Sequence, residues 1–392
     1  MSVYPPFPLT WDHRNQSLSN IVAVVREERV IEILSNFLDG RCISARLFPV
    51  RPGLSGAVSL GVDCRIEGIT PPTQKRSLVF KMSRSRDLIV REYLKRKEAD
   101  YFPKNLFPVF EDIPPQNSGG WYVLANEYIR HARTLKDWLN SSSACPTQVS
   151  TLFQRLFFQS GLHHVYRSPV NRGNSLQLIL TASRRERILT AIDELRSLAC
   201  RNDNLHMLCA SRVRRFVNGN LPMSGKSIQM AAGLLCTRSH GDMHSENILV
   251  DCGTRPWLID PGDVDILPWF ADVARLTVDL IVTAPQCDGE GCELDPIKER
   301  FRQISKLIQG EPLRTKEGKV LQRPLEVALQ WLWDHFQFIH QIQNKDRAEK
   351  EFRLGLAIEF LRATYRVHEI ATEMRVLALL AGDFALASSL VD

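Results

Sequence analysis

The sequence lacks any C-x-x-C pair. Its nine cysteines (Cys42, Cys64, Cys145, Cys200, Cys209, Cys236, Cys252, Cys287 and Cys292) are odd in number and irregularly spaced. That argues against a zinc knuckle and against a redox pair, and favours small core residues in a reducing compartment. Long apolar runs are also missing: stretches such as Val376 to Ala381 are far too short to cross a bilayer. The opening MSVYPPFPLTWDHR carries no charged leader followed by an apolar run, so no signal peptide is read and a cytoplasmic protein with no membrane contact is expected. No internal repeat and no low-complexity tract occurs, which excludes a solenoid. A large charge imbalance is missing too: the net charge is +6 over 392 residues, an excess that would suit nucleotide phosphates or an anionic partner but that an ordinary globular surface also accounts for. With 44% hydrophobic and 24% charged residues, the composition fits a globular chain long enough for two lobes with sizeable cores.

Apolar positions at helical spacing predict one helix over Asn20 to Leu38, closed by Gly40. From Ile43 to Met82 the pattern is that of strands: Arg46 to Val50, Gly56 to Ile66 and Ser77 to Met82. Asp87 to Ala99 reads as a helix capped by Asp87. Two further strands are expected near Leu106 to Phe110 and Trp121 to Tyr128. Helices then follow at Thr134 to Leu139, at Gln148 to Tyr166, within Arg184 to Ala199 and Leu205 to Val217, and from Trp269 to about Leu390. Short strands at Asn247 to Val250 and Pro256 to Ile259 form a small hairpin among them. The expected class is α+β: residues 1–40 a helical extension, 41–129 a β-rich lobe with one important helix, and 130–392 a larger helical lobe.

The chemistry concentrates in HGDMHSENILVDCGTRPWLIDPGD, which begins at His240. Phosphoryl transfer needs a carboxylate to orient the attacking hydroxyl, hard oxygen ligands for Mg²⁺ and cations along the phosphates. Asp242 and Asn247 have the separation found in the catalytic loop H-R-D-L-x-x-x-N, and Asp260 ends a short strand after Leu258-Ile259. The plainer reading is a polar loop and hairpin whose carboxylates cap turns.

This segment resembles the H-G-D-x-H-x-x-N loop and metal-binding Asp of the aminoglycoside phosphotransferase and choline kinase branch of protein-kinase-like enzymes. The resemblance spans roughly Phe48 to Ala284. It implies a protein-kinase-like two-lobed fold, ATP and Mg²⁺ as cofactors, Asp242 as catalytic base, and Asn247 and Asp260 as metal ligands. His240 and His244 would support the loop. Asp272, opening the next helix, would hold the loop's backbone amides, a role compatible with a plain helix cap. The tripeptide Asp260-Pro261-Gly262 departs from the branch, where an aromatic or other large residue is common nearby; proline stiffens the loop without touching the carboxylate. Asp263 and Asp265 would assist a second metal or are surface carboxylates.

The first lobe should then supply a phosphate-covering loop, a strand lysine and a helix glutamate. Gly53, Ser55 and Gly56, in RPGLSGAV, fit the loop, where glycine allows close approach to phosphate; a glycine hairpin turn would look similar. This segment is closer to the S-G-A loop of a bacterial ternary-complex-associated kinase-like branch than to G-x-G-x-x-G. Lys81 would pair with the α- and β-phosphates. Glu92 would orient it, with Glu98 as the alternative. Backbone groups near Glu127 to Ile129 would take the adenine edge.

Ser224-Gly225-Lys226-Ser227 is not a P-loop, because position 220 is Asn where glycine is required and no strand precedes it. The basic clusters Arg184, Arg185, Arg187 and Arg212, Arg214, Arg215 have no interleaved aromatics, so nucleic acid is not expected. The acidic run Asp288, Glu290, Glu293 and Asp295 would attract a cationic acceptor or is a solvated loop. The readings are therefore an ATP/Mg²⁺-dependent phosphotransferase acting on a hydroxyl of an unidentified small molecule or protein, a weak pseudokinase acting as a nucleotide-binding or interaction module, or nucleotidyl transfer to a protein. Acceptor and oligomeric state are not readable.

Overall fold

A computed structural model describes residues 7–38, 40–50, 57–67, 73–109, 115–118, 120–172, 178–199, 210–219, 234–261, 264–283, 296–311 and 323–390. The chain divides into two compact units, Met1–Ala132 with Trp257–Gly262, and Arg133–Pro256 with Asp263–Asp392. The first is β-rich and the second mostly helical, in keeping with the α+β class expected.

The first unit holds a six-stranded sheet of β1 (Leu9–Thr10), β2 (Cys42–Pro49), β3 (Val58–Glu67), β4 (Thr73–Ser83), β5 (Gln116–Ser118) and β6 (Trp121–Glu127), ordered β1-β2-β3-β4-β6-β5. Among the described residues, neighbouring strands of this sheet run antiparallel except β1 with β2. Side chains alternate across the pleat, so one face of β4 carries Leu78, Phe80 and Met82 into an apolar core. That core is completed by α1 (Gln16–Val25) and α2 (Glu27–Phe37). The single helix expected here is thus two, broken at Arg26, which adopts φ 70°. No glycine or proline announces the break.

The opposite face of β4 carries Lys81, and α3 (Arg86–Glu98) lies against this side: its Ile89 and Tyr93 pack with Leu124 of β6. Ser85, not Asp87, is the cap of α3, its hydroxyl accepting from the Leu88 N–H at 3.4 Å. Asp87 instead sits in the first helical turn, where a negative charge suits the helix dipole. The strand expected at Leu106 to Phe110 is not formed over the described residues; a 3₁₀ turn at Lys104–Leu106 occupies its start.

The second unit begins with β7 (Arg133–Thr134), α4 (Leu135–Leu139), α5 (Pro146–Phe153), α6 (Leu162–Tyr166) and β8 (Pro169–Arg172). A π-helical stretch, Gln154–Gln159, interrupts the one helix expected over Gln148 to Tyr166. Next come α7 (Ala182–Ala199), α8 (Ala210–Val217), β9 (Leu235–Ser239) and β10 (Ile248–Val250), which pairs with β7. After β11 (Pro256–Leu258) come β12 (Asp265–Pro268), α9 (Ala271–Val282), α10 (Pro296–Gln309), α11 (Pro324–His340), α12 (Lys345–Ala363) and α13 (Thr372–Leu390). The sheet β12-β9-β8 was not expected from the sequence. Every residue of α9 is buried, and Trp269, Phe270, Phe352 and Phe360 are among the largest fully buried side chains. Among the described residues, no helix is long and apolar enough to cross a membrane.

Candidate functional site

Within the first unit, three of the residues singled out by sequence come together. The Lys81 ammonium lies 2.9 Å from Glu92 Oε2 and 3.4 Å from both carboxylate oxygens of Asp260. Lys81 and Glu92 are almost entirely enclosed, with side chains 11% and 8% exposed, whereas Asp260 is 41% exposed. Glu92 is placed by helical periodicity: Ile89, Glu92, Tyr93 and Arg96 are the buried positions of α3, one inward stripe. The alternative, Glu98, pairs with Lys95 at 2.9 Å and is half exposed. Asp260 adopts φ 55°, the left-handed region that a non-glycine residue occupies only when its surroundings hold it there.

The edge-binding backbone was assigned to Glu127 to Ile129. The Glu127 N–H donates to Val109 O at 3.0 Å and the Tyr128 N–H to Ser77 O at 2.8 Å. The Ile129 N–H has no hydrogen-bond partner among the described residues. Gly53, Ser55, Gly56, Asp263 and the run from Asp288 to Asp295 lie outside the described residues.

In the second unit, the loop from His240 to Asn247 is suspended from α9 by side chains spaced along one helix face. Asp272 accepts from the His240 N–H at 2.7 Å and the Gly241 N–H at 2.9 Å, and from the Tyr166 hydroxyl at 2.9 Å. Arg275 donates to Asp242 Oδ1 at 3.1 Å. Asp279 accepts from the Ser245 N–H at 2.9 Å and its hydroxyl at 2.6 Å. Positions i, i+3 and i+7 of a helix share one stripe, so the three side chains meet the loop in chain order. Burial pushes the Asp272 carboxyl up, offset by His240 and the two backbone amides. Asp279 is also desolvated, yet His244, Ser245 and Arg366 hold it below the usual carboxylate range.

Asp242 is engaged at both oxygens, since His244 Nε2 stands 3.4 Å from Oδ2. Burial alone would raise its pKa; the His244 hydrogen bond and the Arg275 and Arg362 charges outweigh it and hold the carboxyl well below the usual range. Behind Arg275 stands Glu359 of α12, at an ion-pair distance of 3.6 Å, and Arg362 bonds Glu359 at 2.7 Å. Asn247 donates its side-chain N–H to Asp242 O at 3.0 Å. Only the amide nitrogen can donate, so its Oδ1 is left as a hard oxygen suited to magnesium. Among the described residues no group of three or more His, Cys, Asp or Glu is placed to hold a metal.

Sequence reasoning missed Arg275, Asp279, Glu359 and Arg362. The signal for the first two was present: charges at i+3 and i+7 from Asp272 in the otherwise apolar ADVARLTVDLIV.

No protein-family model and no curated protein matches the sequence. Solved structures with a similar backbone include aminoglycoside phosphotransferase APH(2'')-Ib bound to ADP, at 10% identity over 92% of this chain and 99% of that one, with a TM-score of 0.46. Choline kinase LicA from Streptococcus pneumoniae is similar at 15% identity over 85% and 98%, with a TM-score of 0.36. Choline kinase from Cryptosporidium parvum Iowa II is similar at 13% identity over 94% of each chain, with a TM-score of 0.42. Likeness at this level assigns no chemistry, which has to come from the chain's own residues.

Proposed function

We propose that this chain is an ATP- and Mg²⁺-dependent phosphotransferase that moves the γ-phosphate to a hydroxyl of a small molecule or protein. The observation that carries the reading is the enclosed Lys81–Glu92 pair at 2.9 Å with Asp260 beside it in a left-handed conformation. A buried ammonium positioned by one carboxylate and lying against another suits a phosphate chain. Lys81 binds the α- and β-phosphates, and Ile129 offers its N–H to the base edge. Gly53, Ser55 and Gly56 are assigned to the phosphates on their sequence pattern alone. Asp242, held ionised, orients the acceptor hydroxyl and accepts its proton. Asn247 Oδ1 in the second unit and Asp260 in the first are the hard oxygens that each would offer to magnesium. Such an ion would neutralise phosphate charge during transfer.

Calorimetry with MgATP on the wild type and Asp260→Ala, with ATP consumption followed in parallel, tests the reading. Binding that needs both magnesium and Asp260, with slow turnover abolished by Asp242→Ala, supports it. No nucleotide binding at high ATP sinks it.

A second reading is a nucleotide-binding or interaction module of low turnover. It is favoured by one observation: Asp242 is already bonded at both oxygens and is a weak base. Tight MgATP binding with no consumption beyond that of Asp242→Ala would select it.

A further inference from the structure

Glu92 is not committed to Lys81 alone. Its Oε2 takes the ammonium at 2.9 Å, while its Oε1 takes the guanidinium of Arg96, one turn further along the inward face of α3. Arg96 also reaches Asn126 Oδ1 on β6. The register ties this strand to the lysine strand: Leu124 lies opposite Lys81 and Asn126 opposite Val79. Arg96 therefore fixes α3 to the strand next to Lys81, and it does so through the carboxylate that also holds the ammonium.

A carboxylate shared by two cations grips each less strongly than one it holds alone, because the cations repel one another and divide its lone pairs. The arrangement keeps Glu92 in place and limits its hold on Lys81. The ammonium accordingly stands between a buried carboxylate at 2.9 Å and a more exposed one, Asp260, at 3.4 Å. Such a lysine can turn donors toward an incoming anion without breaking a tight isolated pair.

We propose that Arg96 is a positioning residue for nucleotide phosphates: by taking half of Glu92 it anchors α3 and leaves Lys81 available to the phosphate chain. The proposal rests on the nucleotide reading above. It differs from a purely structural role for Arg96 in what it makes depend on that residue, namely phosphate affinity and not base affinity.

The test is a ladder of ligands measured by calorimetry on the wild type, Arg96→Met and Arg96→Lys. Arg96→Met is expected to weaken MgATP and MgADP about tenfold and adenosine by less than about twofold. Arg96→Lys keeps the charge and should recover most of the loss. Equal weakening of all three ligands, or no weakening, overturns the proposal. A crystal structure of Arg96→Met without nucleotide gives a readout that needs no ligand. Lys81 Nζ should move within hydrogen-bond reach of both Glu92 oxygens and away from Asp260; unchanged contacts to both carboxylates overturn the assignment. If Arg96→Met does not fold, Asn126→Leu reaches the same tether from β6 and should give a smaller loss with the same ligand pattern, a uniform loss again counting against it. If the wild type binds none of the three ligands, the nucleotide reading falls, while the crystal structure still decides how Arg96 divides Glu92.

Discussion

The two clusters are built in opposite ways. In the first unit the functional groups stand on regular elements. Strand alternation turns Lys81 to the α3 face, and helical periodicity turns Glu92 and Arg96 to meet it. In the second unit the loop His240 to Asn247 has little repeating structure of its own. It is shaped by buried carboxylates and a guanidinium on a helix that exposes nothing. A strand-and-helix site draws its precision from many backbone bonds, each small. A suspended loop draws it from a few buried charges, each costly to lose. The sensitivity of the two units to single substitutions should differ accordingly.

The largest effect is expected at Asp272. Its carboxylate takes two loop amides and the Tyr166 hydroxyl, the His240 and Tyr166 bonds fully buried and the Gly241 bond partly so. Asp272→Ala strands three donors and should lower stability by about 4 kcal/mol in urea denaturation. Asp272→Asn retains one acceptor oxygen and should lose about half of that. A loss below about 1 kcal/mol for the alanine variant would show that the loop holds its shape without the helix, and the contrast between the units would collapse.

Close packing behind α9 gives the next effect. A Cβ at Gly355 of α12 would lie 2.4 Å from Phe270 Cδ2 and 2.9 Å from its Cγ. Phe270 is 1% exposed and has nowhere to go. Gly355→Ala should cost about 3 kcal/mol by the same measurement.

Within each cluster, the positions that sequence singled out were legible for one reason, which is range. Asp242, Asn247 and Asp260 lie within one short segment whose spacing is fixed by a turn and a strand. Lys81 and Glu92 follow from local alternation and periodicity. Glu359, by contrast, meets Arg275 from across a long chain separation, and no local pattern marks it. Asp272 was read as a support for the loop amides, yet its neighbours Arg275 and Asp279 on the same stripe were not. The β8-β9-β12 sheet was missed because LCTRS and DILP are short and carry no clear alternation. The break at Arg26 was missed because its left-handed backbone falls on an arginine.

His340 adds a dependence on pH that the first unit is not expected to share. It packs against Tyr166 and Trp269, with ring centroids at 5.0 and 4.8 Å. Burial first, then Arg167, pushes its pKa down to about 3. In the unfolded chain a histidine titrates near 6.5. Below that value the unfolded state takes up a proton that the folded state refuses, so stability present above pH 6.5 is lost as pH falls toward 3. The stability gap between wild type and His340→Phe should shift against the wild type by about 2 kcal/mol from about pH 7.5 to about pH 5. Parallel stability–pH curves for the two proteins would place the acid sensitivity elsewhere.

The smallest effect tests the first unit by the same chemistry as Gly355. A Cβ at Gly61 of β3 would meet the Phe48 ring at 2.2 Å, a closer approach than at Gly355. Overlap alone would rank Gly61→Ala as the worse substitution. The ring it strikes is different, however. Phe48 is only partly buried, near the end of β2, and packs tilted against Tyr128, ring centroids 4.7 Å apart. A partly exposed ring can turn aside, so Gly61→Ala should cost about 1 kcal/mol, well below Gly355→Ala. The displaced ring would also loosen Tyr128, next to the Ile129 N–H assigned to the base edge. Adenosine binding should then weaken about threefold while the phosphate contribution, read as the MgATP to adenosine ratio, stays unchanged. Arg96→Met is expected to produce the reverse pattern. Finding both patterns would separate base recognition from phosphate recognition within one sheet face; finding the same pattern for both variants would mean that the face responds as a single block.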